Sequence, residues 1–321
     1  MPNSNFRSII AKAFGKAALG LAIALAPLSV WGADTDTYTH REDVIYGRKF
    51  GTALTMDVFT PKENANGAAV VWVVSGGWHS DHNNIQPNAP FCPIRELTKR
   101  GYTVFAVVHG SQPRYTIPEV LQDMHRSVRY IRSHAAEFKI DENRIGITGA
   151  SAGGHISLMQ GTAGNEGDPK SPDPINRVSS RVQAVACFFP PTDFLNYGKP
   201  GEDAIGRGIL KDYAAPFAIT EPNERRVFVP ITDETKIVAM GKAVSPINHA
   251  TADDPPSLII HGDKDLLVPI QQAEIMVAKL KEVGVPAELV VKPGAVHGWP
   301  DVARDQAKIG DWFDKYLAKK P

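Results

Sequence analysis

The chain has 321 residues with 35 basic and 35 acidic side chains, so its formal net charge is zero. That balance offers no global basic field to a nucleic acid, and 43% apolar with 22% charged residues describes a globular chain, not a disordered one. Two cysteines are too few for a disulfide scaffold or a four-thiolate zinc site.

The first feature in chain order is a leader. Arg7, Lys12 and Lys16 precede an uncharged apolar run of 14 residues, Ala17 to Val30, and the small residues Gly32 and Ala33 follow. Positive, apolar, small is the order of a secretory signal peptide, and the run is shorter than the ~20 residues of a spanning helix. The reading is an export signal over residues 1–32, cut before Ala33, with no membrane attachment afterwards; an uncleaved anchor is the alternative. Cleavage removes three cations and no acid, so the mature chain is mildly acidic. In an oxidising compartment Cys92 and Cys187 could pair, although two separate buried thiols are the plainer expectation.

From residue 33 the pattern is one α/β domain. Val44–Tyr46 and Leu54–Phe59 read as an antiparallel pair of short strands. Ala68–Val74 and Tyr102–Val108 are continuous apolar runs, the signature of strands buried on both faces in a mostly parallel sheet. Apolar residues spaced by three and four from Ile117 to Phe138 predict a helix. Further strands are expected at Arg144–Thr148, Val182–Phe188, Ser257–Ile260 and Ala287–Val291, with helices from Ala152 to about Gly161, at Val268–Val283 and at Val302–Leu317. Such alternation implies right-handed crossovers, with helices on both faces of the sheet. Residues 190–256 break the rhythm. They hold Phe194, Tyr197, Tyr213, Phe217 and Phe228, and read as a cap whose aromatics line a ligand pocket; a surface excursion without ligand contact is the alternative.

The chemical signal is Gly149-Ala150-Ser151-Ala152-Gly153, a G-x-S-x-G pattern between a strand and a helix. Bulk at Gly149 or Gly153 would collide across so tight a turn, and the turn lifts the Ser151 hydroxyl above a helix N-terminus. A serine needs a base held by an acid. His297, on the glycine-flanked loop after the last strand, is the base; His261 and His155 read as packed residues. For the acid, Asp265 is the choice, Asp263 is close behind, and Asp193 is a third candidate. The oxyanion donors are the Ala152 amide and the loop Ser75-Gly76-Gly77-Trp78, where Gly77 is the first choice and Gly76 or Trp78 its partner. His79, Asp81 and His82 suggest a metal only weakly, and neither a metal nor a cofactor is expected.

These segments resemble the α/β-hydrolase esterases of the hormone-sensitive-lipase and feruloyl/acetyl-xylan-esterase-like branches, related to the prolyl oligopeptidase catalytic domain. The likeness runs from about Asp43 to Leu317 and is densest at Ser75–Trp78, Ile140–His155 and Pro255–Pro269. It implies an α/β-hydrolase fold, a Ser151–His297–Asp265 triad, and a small-molecule or polysaccharide ester as substrate. Two departures stand out. The oxyanion loop lacks the family's leading histidine, and His109–Tyr115 differs from its usual tyrosine–arginine segment. Two other functions compete: a serine peptidase, and a non-catalytic binding protein on the same fold. Trp78 and Trp299 could stack on a sugar or an aromatic acid, or belong to the core.

Overall fold

A computed structural model describes residues 37–318, and the expected export signal lies outside them. The strands are Tyr38–Lys49 (β1), Thr52–Pro61 (β2), Ala69–Val73 (β3), Thr103–Val107 (β4), Ile145–Ala150 (β5), Ala184–Phe188 (β6), Thr220–Pro222 (β7), Phe228–Pro230 (β8), Ser257–Gly262 (β9) and Ala287–Lys292 (β10). The α-helices are Ile94–Lys99 (α1), Ile117–Ser133 (α2), Ala135–Phe138 (α3), Ala152–Thr162 (α4), Glu234–Ala243 (α5), Gln271–Glu282 (α6) and Val302–Leu317 (α7).

Eight strands form one sheet in the order β1-β2-β4-β3-β5-β6-β9-β10. The β1–β2 and β2–β4 pairs are antiparallel; the other five are parallel. Strand side chains alternate between faces, so the continuous apolar runs split cleanly. Val71, Val73, Phe105, Val107, Val185 and Ile259 face α2, α4 and α6, whereas Val70, Trp72, Val104, Ala186 and Ile260 face α1 and α7. The α/β-hydrolase expectation therefore holds. Cys187 lies in the first layer and Cys92 in the second, both as free thiols, so the possible disulfide does not form.

Two boundaries differ from the sequence reading. The 117–138 helix breaks at His134, where the backbone turns to φ −108°, ψ 20°, and a short second helix follows. The 268–283 helix starts only at Gln271, because Val268 and its neighbours fold round Asp265 and Pro269 precedes the first turn.

The 190–256 insertion carries short 3₁₀ turns, the β7–β8 hairpin and α5. Its aromatics mostly do not line a pocket. Phe194, Tyr197 and Phe217 are buried, and Phe194 and Phe217 surround Trp78 at ring distances of 5.9 and 5.4 Å. Phe228 is exposed on the hairpin. Only Tyr213 reaches the cavity above Ser151.

Candidate active site

The turn between β5 and α4 is as tight as the glycines imply. A Cβ on Gly149 would sit 2.5 Å from the Gly153 carbonyl carbon and oxygen, and one on Gly153 would sit 2.9 Å from the Val73 oxygen. Ser151 itself is left-handed at φ 54°, ψ −119°, a conformation that costs roughly 1–3 kcal/mol and persists because the surroundings enforce it. Its N–H donates to the Phe188 carbonyl at 3.0 Å, and its carbonyl accepts the His155 N–H at 2.9 Å, which pins the strained residue from both sides.

The structure brings Ser151, His297 and Asp265 into one hydrogen-bonded chain. His297 Nε2 lies 3.1 Å from Ser151 Oγ, and His297 Nδ1 lies 2.7 Å from Asp265 Oδ2. In this arrangement Ser151 donates to Nε2, and Nδ1–H donates to the carboxylate. The other carboxylate oxygen accepts the N–H groups of Leu267 and Val268, both at 2.9 Å. Burial opposes charge on Asp265, but His261, His297 and the Val268 N–H together hold its carboxyl well below the usual carboxylate range. Asp265 thus remains an anion beside the imidazole. The Phe189 ring lies 4.4 Å from the His297 ring and covers it.

The competing acids do other work. Asp263 accepts the Gly294 N–H at 2.7 Å, which ties two loops together. Asp193 accepts the Leu195 N–H and the Asn196 amide and so forms a local turn. His261 is fully buried, with Nε2 2.8 Å from the Val268 carbonyl. His155 is also buried. Its Nδ1 accepts the Trp78 indole N–H at 3.1 Å, so its Nε2 carries the proton and donates to the Val244 carbonyl at 2.7 Å. Burial lowers its pKa to about 4 and keeps it neutral. This chain joins the insertion, α4 and the oxyanion loop.

Ser151 and His297 open on a cavity of about 440 Å³, whose wall includes Ser75, Gly76, Gly77, Phe91, Phe189 and Tyr213. Gly77 has φ +55°, and its N–H, like that of Ala152, meets no acceptor among the described residues. The Gly76 N–H is committed to the His79 carbonyl at 3.0 Å. Trp78 departs from expectation in its side chain, which is buried behind the wall with its indole N–H on His155; Gly77 lines the cavity, and the Trp78 backbone N–H, like that of Gly77, meets no acceptor among the described residues. Trp299 is likewise core, with its N–H on Asp305 at 2.7 Å. Neither tryptophan faces a ligand.

Gln112, which carried no motif, holds the oxyanion loop from outside. Its side-chain amide donates to the Gly77 carbonyl at 2.9 Å and its backbone N–H to the Trp78 carbonyl at 3.2 Å. The segment that departs from the family pattern is therefore the support of this loop. Further along, His82 lies 3.0 Å from the buried Asp57 carboxylate, which also takes His40 at 2.7 Å and the Asp43 N–H at 3.0 Å. Asp57, Asp43 and His82 converge within 4.8 Å. His79 and Asp81 stand apart from that group, and Asp81 accepts the Asn83 N–H. A larger cavity, about 690 Å³, lies between β1, α2 and the 165–176 loop, with Arg126 paired to Asp173 and Lys49 to Asp123.

The profile of the BD-FAE family matches residues 56–280. The chain belongs to the BD-FAE family of α/β-hydrolase esterases. It is 30% identical over 249 residues to the "Probable carboxylic ester hydrolase LipM" of Mycobacterium tuberculosis, covering 77% of this chain and 53% of that protein. It is 26% identical to "Esterase LipC" of the same organism, covering 82% of this chain and 60% of that one. The chain thus spans a little over half the length of these curated relatives. Among solved structures, a "Truncated form of carbohydrate esterase from gut microbiota" shares 27% identity at a TM-score of 0.70, covering 90% of this chain and 100% of that one. Thermogutta terrifontis esterase 2 with bound butyrate shares the fold, at 24% identity and a TM-score of 0.63, over 87% of this chain and 96% of that one.

Proposed function

We propose that this BD-FAE protein is a serine carboxylesterase acting on short or aromatic acyl groups esterified to carbohydrate. The observation that carries the reading is the Ser151–His297–Asp265 chain, opening on a cavity beside the uncommitted backbone N–H groups of Gly77 and Ala152. His297 takes the hydroxyl proton as Ser151 Oγ attacks the ester carbonyl. The Gly77 and Ala152 N–H groups receive the negative oxygen, and Asp265 stabilises the imidazolium. The imidazolium then protonates the departing alcohol. A water, deprotonated by His297, cleaves the acyl-enzyme, and the proton returns to Ser151.

The carbohydrate part of the reading rests on two similar solved structures, one described as a carbohydrate esterase and one as an acetyl ester-xyloside bifunctional hydrolase. The cavity agrees with it on the acyl side: Trp72, Phe91, Phe189 and Leu267 supply an apolar wall, and Asn84 adds a polar group. Export is part of the proposal and rests on the order of charge and hydropathy in residues 1–32; N-terminal sequencing of the secreted form tests it. The functional test is a panel of acetyl-xylan, methyl ferulate, and short and long p-nitrophenyl esters. Acetyl or feruloyl sugar esters should be preferred. Cleavage of proline-containing peptides without ester hydrolysis would instead make the protein a peptidase.

A further inference from the structure

We propose that the Ser75 side chain is a third donor to the oxyanion, beside the backbone N–H groups of Gly77 and Ala152; the proposal rests on the esterase reading of Ser151. Ser75 Oγ is buried and has no hydrogen-bond partner, while the hydroxyls around it are committed. Ser80 Oγ donates to the Val74 carbonyl at 2.5 Å, and Ser111 Oγ accepts the Ser80 N–H at 3.0 Å. On the other side, Ser157 Oγ donates to the Gly153 carbonyl at 2.7 Å. Buried hydroxyls are normally satisfied, so one left unpaired on a residue that lines the cavity points to a partner that arrives with the occupant.

The sheet register says where that partner sits. β3 and β5 run parallel with Ala69 opposite Ile145 and Trp72 opposite Thr148. Three residues further along both segments stand Ser75 and Ser151. Neighbouring strands lie about 4.8 Å apart, so the two serines flank the same small space where the strands give way to the loops. Ser75 also abuts the first turn of α4: a Cβ on Gly153 would lie 3.3 Å from the Ser75 carbonyl oxygen and 3.7 Å from its Cβ. That turn holds the Ala152 N–H and the positive end of the helix dipole.

A hydroxyl can rotate and either donate or accept. With the planar ester bound, the carbonyl oxygen has not yet moved into the donor cluster. As the tetrahedral centre forms, charge builds on that oxygen and Ser75 gains a partner that it lacked. An interaction made only at that stage accelerates the chemical step without tightening ground-state binding. Gly76 cannot fill the role, because its N–H is already bonded to His79.

The test is Ser75→Ala on the full chain, with a short p-nitrophenyl ester as substrate and a boronic acid as transition-state analogue. We expect kcat to fall about 10- to 100-fold with KM changed less than about twofold, somewhat less than loss of a principal donor. Boronate affinity should fall by about the same factor as kcat/KM, while affinity for the product acid and Tm stay close to wild type. A raised KM with unchanged kcat would make Ser75 a substrate-binding wall group, and a lowered Tm with unchanged kcat would make it packing; either result overturns the proposal. Ser151→Ala is run in parallel. Its loss of activity beside a silent Ser75→Ala would sink this proposal alone, whereas near-wild-type hydrolysis by Ser151→Ala would sink the esterase reading and the third donor with it.

Discussion

Gly77 carries two constraints that can be separated by experiment. At φ +55° an alanine pays the left-handed penalty of about 1–2 kcal/mol. Its Cβ would also fall 2.5 Å from Tyr213 Cε1 and 3.0 Å from Cδ1, well inside van der Waals contact. Relieving that overlap displaces either the ring or the loop, at roughly 1–3 kcal/mol for an overpacked site. Gly77→Ala should therefore destabilise by about 2–5 kcal/mol in urea unfolding. In Gly77→Ala/Tyr213→Ala the overlap is gone and the backbone term remains, so the double-mutant cycle should return a coupling of about 1–3 kcal/mol. The rate behaves differently. The loop N–H shifts in the single variant, and a misplacement of about 1 Å costs on the order of 100-fold in kcat/KM; removing the ring should restore part of that loss. Additive stability effects, with no recovery in the double variant, would refute the contact between cap and oxyanion loop.

Asp265→Asn should lower kcat by about 10⁴-fold, the scale set by the wrong imidazole tautomer in serine proteases, whereas Asp263→Asn should stay within a few-fold; p-nitrophenyl acetate kinetics on both variants decide between them. The thiols offer a second check. Burial pushes the Cys92 thiol up to about 12 and raises that of Cys187 further, so native protein should not react with DTNB, and unfolded protein should release two equivalents without reductant. A third concerns pH. Burial alone would lower the pKa of His82, but the hydrogen bond and charge of Asp57, with Asp43 and Glu42 nearby, raise it above 6.5. A raised folded-state value means that the stabilisation is full below pH 6.5 and fades as pH climbs through the folded value. His82→Ala should flatten that slope in Tm-versus-pH curves; an unchanged slope would show that the Asp57 pair does not titrate there.

The inner strands β3, β4 and β6 were legible because each is buried on both faces and reads as an apolar run, whereas the edge strand β10 is only partly buried. β1 was only partly legible: its register shifts between Arg41 and Val44, and most of its first six residues are exposed, so only Val44–Tyr46 looked like a strand. The order Ser151, Asp265, His297, each just past a strand end, pointed to the chain of hydrogen bonds that the structure assembles. What the sequence concealed is direction. Trp78, Trp299, Phe194 and Phe217 are aromatic residues near the site, yet all turn inward to pack or to satisfy an indole N–H. Phe189 and Phe91, which do reach the cavity, come from segments with no motif at all, and of the cap aromatics singled out in the sequence only Tyr213 joins them. Gln112 was silent for the same reason: its role exists only once the chain folds it over Gly77.

The central claim is that Ser151 is the nucleophile of an esterase. Purified protein should be titrated with a fluorophosphonate while p-nitrophenyl acetate hydrolysis is followed and the adduct is mapped by peptide mass spectrometry. The account predicts one adduct, on Ser151, with activity falling in proportion to labelling and kcat lower by several orders of magnitude in Ser151→Ala. Full activity after complete labelling, or hydrolysis by Ser151→Ala at close to the wild-type rate, would contradict it.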